Sequence, residues 1–222
     1  MKEIVLDTET TGLSVKDGHK IVEIGCIELD NLVPTSNKFH YYLNPERNVS
    51  EKALDIHGYT NKFLSDKKKF FEIADEFLDF IKDKKLIIHN AEFDIAHLNN
   101  ELEILGKKKI DKKNVIDTLV LARSKFPGSL ISLDALCKRY RIDNSKRTKH
   151  TALIDCELLT KVYINLIDQK EPSLNFSLIN QKTAEGDLNQ KINYFKKIVK
   201  PNSDEIKLNK KFLKDYLKKN FY

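Results

Sequence analysis

Two acidic residues stand at alternate positions where an apolar run near the start of the chain ends. Ile4, Val5 and Leu6 are followed by Asp7 and Glu9, and then by polar, turn-forming residues. Such a run is typical of a buried strand, and residues i and i+2 of a strand point to the same face. The two carboxylates are therefore expected side by side, where they repel each other unless a cation lies between them. Oxygen ligands at this spacing suit Mg²⁺ or Mn²⁺, although a strand that ends in a polar turn would leave the same pattern.

A third carboxylate, Asp155, falls on the apolar side of a predicted helix that runs from about His150 to Tyr163. A buried carboxylate without a partner is costly or becomes neutral, so a basic side chain or a metal should compensate it. The basic residues nearest in sequence, Lys149 and Lys161, lie far from the apolar stripe. This spacing weakens the case for a local ion pair.

Asp94 and His150 are two further candidates. Asp94 follows a short apolar run, Leu86 to Ile88, at the start of another predicted helix, where stabilisation of the helix N-terminus is the simpler explanation. His150 lies five residues before Asp155, about 140° around the helix, so it must approach from the loop side to share a site. A neutral histidine there can act as a general base, and a structural role is the alternative.

The elements that must position these residues indicate an α/β fold. Three β-rich runs joined by short connections predict an antiparallel meander, and strands that alternate with helices follow it. A mixed sheet flanked by helices is therefore expected. The predicted strands lie near 4–7, 20–29, 39–43, 86–88 and 115–116, and the predicted helices near 70–81, 95–105, 118–125, 133–140 and 150–163, while 44–69 reads as irregular with one helical turn near 51–54.

Composition indicates a globular domain with a basic appendage. The chain has 222 residues, of which 41% are hydrophobic, and its net charge is +6. Residues 169–222 contain twelve lysines and six acidic residues, so they carry the whole excess. No apolar run is long enough to span a bilayer, and the charged Asp7 comes too early for a signal peptide. The three separated cysteines are expected to be reduced, which favours a cytoplasmic protein.

Three motifs together resemble a known family. Asp7-Thr-Glu9, His89-Asn-Ala-Glu-Phe-Asp94 and His150-Thr-Ala-Leu-Ile-Asp155 are similar to the three exonuclease motifs of the DEDDh 3′–5′ exonucleases. The stretches IVLDTETTGL, GHKIVEIG, SLDALCKRY and IDNSKRTKH resemble the proofreading epsilon subunits of bacterial DNA polymerase III. The resemblance implies a ribonuclease H-like fold for an exonuclease domain of residues 1–168.

The same resemblance assigns roles to the candidate residues. It implies two divalent ions, Mg²⁺ or Mn²⁺, held by Asp7, Glu9 and Asp155, with Asp94 contributing through the second ion or its water, and His150 as the base. The substrate would be contacted by Asp7, Glu9 and Asp155 together with His57. Lys52 stands where the family has a glutamate, so the chain departs from the family pattern at this nucleotide contact.

The implied reaction splits the terminal phosphodiester of a single-stranded or frayed DNA 3′ end and releases a nucleoside 5′-monophosphate. An RNA-trimming exonuclease and a non-catalytic, polymerase-bound scaffold are the alternatives. Residues 169–222 would be a flexible linker and tail that tethers the domain to the polymerase catalytic (alpha) subunit, with an amphipathic helix from about Ser203. A small theta-type subunit is a further possible partner, and no membrane is expected.

Residues 171–176 resemble the clamp-binding peptide of that family, Gln-x-x-Leu/Met-x-Phe. Glu171 replaces the first Gln, and Leu174 and Phe176 are the two apolar anchors. A sliding clamp is the implied partner. Alternatively, the two apolar side chains fold back onto the domain.

Overall fold

The computed structural model of the chain describes residues 2–167 and 201–216. The chain divides into two compact units, residues 1–173 and 174–222. Among the described residues, no helix is both long and apolar enough to cross a membrane. The linker and the peptide at 171–176 lie outside the described ranges, and the domain boundary at 168 stays a prediction.

Five strands form one mixed sheet in the order β3-β2-β1-β4-β5, with bounds β1 (Lys2–Thr10), β2 (Ile21–Asp30), β3 (Val33–Tyr42), β4 (Lys85–Ile88) and β5 (Val115–Asp117). The first three strands are antiparallel, as predicted, whereas β4 and β5 continue the sheet parallel to β1. Because β1 and β4 are parallel neighbours, the residues at their carboxyl ends meet at one edge of the sheet. Ligand sites of α/β proteins commonly lie at such an edge.

Helices cover both faces of the sheet, which confirms the predicted α/β class. Alternation along β1 directs Ile4 and Leu6 into one core with the third and fourth helices, and Val5 into a second core with the last three core helices. The helices are α1 (Glu51–His57), α2 (Asn61–Leu64), α3 (Phe70–Ile81), α4 (Ala91–Ile104), α5 (Thr118–Lys125), α6 (Leu133–Tyr140) and α7 (Ala152–Leu166), and the second unit contributes α8 (Ser203–Tyr216).

The prediction for residues 44–69 is wrong in detail. This segment contains two helices rather than one turn, and each begins with a side-chain cap: the hydroxyl of Ser50 accepts from the backbone N–H of Ala53, and that of Thr60 accepts from Phe63. Such caps stabilise short helices whose apolar pattern is too brief to be recognised. His57 therefore lies in the last turn of α1 and is buried, instead of lying in a polar loop.

Candidate active site

Asp7 and Glu9 lie on β1, and their neighbours on β2 are Gly25 and Glu23. They share the face of Val5, and this face of the sheet is covered by α7. A Cβ atom at Gly25 would lie only 2.6 Å from the carbonyl carbon of Ala152. The missing side chain thus lets the first turn of α7 pack directly on β2, beside the carboxylates of β1.

Asp94 comes from the first turn of α4, after β4. Its Oδ1 accepts two hydrogen bonds from Thr8, one from the backbone N–H at 3.0 Å and one from the hydroxyl at 2.7 Å. Thr8 lies between Asp7 and Glu9 in the sequence and points to the opposite face of β1. One strand therefore supplies two acidic residues and also fixes the orientation of a third.

Asp155, in the first turn of α7, is buried and paired with Arg147. The Nε and Nη2 atoms of Arg147 lie 2.6 and 2.7 Å from the two carboxylate oxygens of Asp155. The inference against a local ion pair is therefore wrong. It considered Lys149 and Lys161, whereas the partner is a longer side chain from the irregular segment that precedes α7.

His150 approaches from the loop side, as the helical geometry requires. Its backbone N–H donates to the carbonyl of Ile56 at 3.2 Å, and its Nδ1 lies 3.5 Å from Asp155 Oδ2. Nη2 of Arg147 donates to the same Nδ1 at 2.8 Å. Since a guanidinium can only donate, Nδ1 is an acceptor and the neutral ring carries its proton on Nε2.

Burial and mutual repulsion dominate the electrostatics of the site. Burial, reinforced by the charges of Asp94 and Glu9, raises the pKa of Asp7 well above its ordinary value. Burial and the charge of Asp155 raise the pKa of Glu9 to about 8, and burial raises the pKa of Asp94 to about 7 despite the hydrogen bonds from Thr8. Burial also acts to raise the pKa of Asp155, but its hydrogen bonds to Arg147 hold it below its ordinary value.

All the predicted site residues except Lys52 and His57 line one cavity of about 460 Å³. Glu9, His150 and Asp155 each offer a ligand atom, and these atoms lie within 4.8 Å of one another. Carboxylate oxygens and an imidazole nitrogen at such separations are a donor set that Mg²⁺ or Mn²⁺ can use. The raised pKa values of the neighbouring carboxylates also favour a cation site, since a cation would relieve their repulsion.

Lys52 and His57 line an adjoining cavity of about 410 Å³, which shares Glu9 and Phe93 with the first. His57 stacks on Tyr59 with ring centroids 4.8 Å apart, and its Nδ1 accepts from the backbone N–H of Tyr59. Lys52 is exposed at the cavity wall. The structure therefore separates the two groups of predicted residues into a carboxylate cavity and a more apolar one beside it.

Comparison with known proteins places this geometry in a family. Residues 4–163 match the family model RNase_T, described as an exonuclease. The DNA polymerase III subunit epsilon of Rickettsia felis is 48% identical over 224 residues, which cover 98% of this chain and 98% of the relative. The chain belongs to the exonuclease family.

Solved structures agree with this membership. Exonuclease X in complex with 5′-overhanging duplex DNA aligns with a TM-score of 0.59 and 26% identity, covering 75% of this chain and 92% of that one. The nuclease domain of 3′hExo, a DEDDh family member bound to rAMP, aligns with a TM-score of 0.64 and 16% identity, covering 76% and 92%. The exonuclease thus has the ribonuclease H-like fold that the motifs implied, and it is a 3′–5′ exonuclease.

Sequence reasoning missed three residues of this exonuclease that hold the site together: Arg147, Glu23 and Thr8. Arg147 could have been suspected from its length and its place in the loop before α7. Glu23 is fully buried and accepts hydrogen bonds from three groups, and nothing in its β-rich run marks it as a site residue. Nothing in the sequence distinguishes Thr8 from the other threonines of the turn.

Proposed function

We propose that this exonuclease removes nucleotides from DNA 3′ ends as the proofreading subunit of a replicative DNA polymerase, using two divalent ions. The observation that carries the proposal is the convergence of four carboxylates and an imidazole in one cavity. We assign metal binding to Asp7, Glu9, Asp94 and Asp155, and the role of general base to His150. The named DNA polymerase subunit that is nearly half identical over the whole chain supports DNA as the substrate.

The metal assignment is supported by the chemistry of the donor set. Three carboxylates have pKa values raised by burial, so they gain most from a cation beside them. Divalent ions bound there would lower the pKa of a water molecule and stabilise the charge that develops on the leaving oxygen. The two Thr8 hydrogen bonds occupy Oδ1 of Asp94 and leave Oδ2 as its ligand atom.

We assign to His150 the removal of the proton from the attacking water. Its side chain is partly exposed, at 44%, so solvent can carry the proton away afterwards. To accept a proton it must be neutral and must present a free nitrogen. Its backbone hydrogen bond to Ile56 ties the base to α1, the helix that carries the nucleotide-binding residues Lys52 and His57.

The adjoining apolar cavity is assigned to the terminal nucleotide. The half-buried Phe93 offers an aromatic face on which a base can stack, and stacking tolerates any base. The buried His57, whose ring stacks on Tyr59, lines the same cavity. Lys52 supplies a positive charge at the rim, where an acidic family residue would repel a phosphate. A site of this kind suits an unpaired 3′ end, since a mismatched terminus is the one that frays at least cost.

The contact with the polymerase is assigned to the tail. On α8 the side chains of Ile206, Leu208 and Phe212 are exposed, and the helix is rich in lysine. A basic amphipathic helix of this kind suits docking to a protein groove, and we assign it to the polymerase alpha subunit. The clamp contact at 171–176, a theta-type subunit and a cytoplasmic location stay part of the same proposal.

One assay tests the core of the proposal. The full chain is incubated with Mg²⁺ and 3′-end-labelled single-stranded DNA, and a matching RNA is run in parallel. Release of nucleoside 5′-monophosphates from DNA, abolished by chelation and by Asp7→Asn, is the expected result. A preference for RNA would favour the trimming alternative. A folded chain that cleaves neither strand would favour the scaffold.

A further inference from the structure

Arg147 lines the carboxylate cavity and contacts three of its other residues. Its side chain is only 7% exposed. Besides the two-pronged contact with Asp155, Nη1 lies 2.6 Å from Asp134 Oδ2 and Nη2 donates to His150 Nδ1. Of the described residues that line the cavity, Arg147 is the only lysine or arginine.

These contacts use the atoms that the proposed reaction needs. Both oxygens of Asp155 accept from Arg147, at 2.6 and 2.7 Å. A guanidinium pair of this geometry is strong and directional, and a dication bound to the same oxygens would lie against the positive charge of Arg147. The donor from Arg147 also fixes the imidazole of His150 with its proton on Nε2, so neither ring nitrogen is then free to accept a proton.

We propose that Arg147 is an internal competitor of the metal, which leaves Asp155 and His150 when a divalent ion binds. This inference rests on the proposed metal site. The Arg147–Asp155 pair acts as an off state in which a ligand and the base are both blocked. Metal binding frees both residues in one step, so the base becomes competent only when the site is loaded.

The surroundings of Arg147 allow this movement. Its third partner, Asp134 on α6, is 54% exposed and gives the guanidinium an anchor towards solvent. The segment that carries Arg147, between α6 and α7, forms neither helix nor strand. By contrast, Asp155 is fixed in the first turn of α7. We therefore expect the arginine to move while the aspartate stays.

The proposal makes an unusual prediction for a side chain that contacts a metal ligand. A residue that merely orients Asp155 would lower metal affinity when it is removed. Removal of a competitor would raise metal affinity, because the apparent affinity of a ligand is its intrinsic affinity multiplied by the fraction of protein in the competent state. If the paired state holds nine molecules in ten, Arg147→Gln should bind Mn²⁺ roughly tenfold more tightly.

The test measures Mn²⁺ binding to the full chain by calorimetry, after chelation and dialysis. Arg147→Gln should bind about tenfold more tightly than the natural chain, and its melting temperature without metal should be lower. Arg123→Gln, which removes the same charge from an exposed position on α5, should change the affinity less than about twofold. Unchanged or weaker binding by a folded Arg147→Gln variant would overturn the proposal.

A second measurement keeps the proposal testable if that variant does not fold. The chain has only five arginines, Arg47, Arg123, Arg139, Arg141 and Arg147, so their Nε–H signals can be resolved in a ¹⁵N spectrum and the one from Arg147 assigned with Arg147→Lys. That signal should move strongly on saturation with Mg²⁺. An unchanged signal at saturation would refute the exchange. If the natural chain binds no Mn²⁺, or if Asp7→Asn binds it equally well, the proposed metal site itself fails.

Discussion

The carboxylate of Glu23 on β2 accepts a hydrogen bond from the backbone N–H of Ala152, the first residue of α7, at 2.9 Å. It also accepts from Tyr59 Oη at 2.8 Å and pairs with His40 Nε2 at 2.7 Å. One fully buried residue therefore joins the sheet, the segment after α1 and the helix that carries Asp155. The apolar cavity beside α1 and the carboxylate cavity are held together through it.

Glu23→Ala should destabilise the protein strongly. It leaves three buried or half-buried donors without an acceptor, and the loss of one partner from such a network costs about 3 kcal/mol or more. Urea unfolding measures the change. Tyr59→Phe is the matched control, because it removes one donor, keeps the ring that stacks on His57 and should cost about 1 kcal/mol. Equal losses in the two variants would contradict the view that Glu23 is the centre of the network.

Gly25→Ala should lower exonuclease activity even in protein that remains folded. The new Cβ would lie 2.6 to 2.8 Å from backbone atoms of Ala152 and Leu153, so α7 must shift and carry Asp155 with it. A displacement well below 1 Å at a reacting group is enough for a loss of roughly tenfold or more in rate. The rate of nucleotide release from labelled single strands is the measurement.

Gly106→Ala provides the control for that variant. Gly106 has open space around its Cα but a φ of +64°, so alanine there is strained without touching the site. A loss of about 1 kcal/mol with full activity is expected. If Gly25→Ala retained full activity too, the close approach of α7 to β2 would not be what positions Asp155.

The Thr8 hydroxyl should tune the affinity of the metal site. Thr8→Val preserves the side-chain volume but removes the 2.7 Å hydrogen bond to Asp94 Oδ1, while the backbone N–H bond remains. Loss of a partner that orients a metal ligand lowers affinity by roughly tenfold. Thr8→Ser keeps the hydroxyl and should bind Mn²⁺ almost normally. Calorimetric titration of the two variants compares them directly, and equal affinities would remove Thr8 from the support of the site.

The sequence predicts the site well where its residues follow a local period. Because a strand alternates faces, the sequence predicts Asp7 and Glu9 side by side. Because Asp155 falls on the apolar stripe of a helix, it is predicted to be buried. The five-stranded sheet followed from apolar runs and turn residues in the same way. Each of these predictions needs only the apolar pattern of a single strand or helix.

The sequence fails where a contact joins residues without a shared period. Arg147 reaches Asp155 from an irregular segment, and Glu23 contacts a helix that begins 129 residues later. Neither contact can be read from spacing, since the first depends on the path of the irregular segment before α7 and the second on how α7 packs on β2 at Gly25. The short helix α1 is predicted only as one turn near 51–54, and α2 is not predicted, because the stability of such short helices comes from a cap and from tertiary contacts more than from their pattern.

The pKa values of the carboxylates predict how stability should depend on pH. In the folded protein burial raises the pKa of Glu9 to about 8 and that of Asp94 to about 7, above the ordinary values near 4 of the unfolded chain. At pH values between the unfolded and the folded pKa of these two carboxyl groups, the folded protein therefore holds more protons than the unfolded chain. The resulting stability is fully present below the unfolded pKa and is lost as pH rises through 7 and 8. Asp155, whose pKa is lowered, stays ionised in this window.

With a chelator present, the free energy of unfolding should therefore fall between about pH 7 and pH 8.5, by about 1 kcal/mol per pH unit for each extra proton held. Below about pH 7 the histidines His57, His89 and His97, whose pKa values are lowered by burial, act in the opposite direction, because the unfolded chain then binds protons that the folded protein does not. Excess Mg²⁺ should reverse the slope, because the metal binds the ionised carboxylates and competes with protons. Urea unfolding at a series of pH values, with and without Mg²⁺, measures both slopes. Asp7→Asn is the control, since it removes one of the repelling charges and should flatten the slope seen with chelator. Stability that rises with pH in the chelated natural chain would show that the carboxylates are already compensated within the protein.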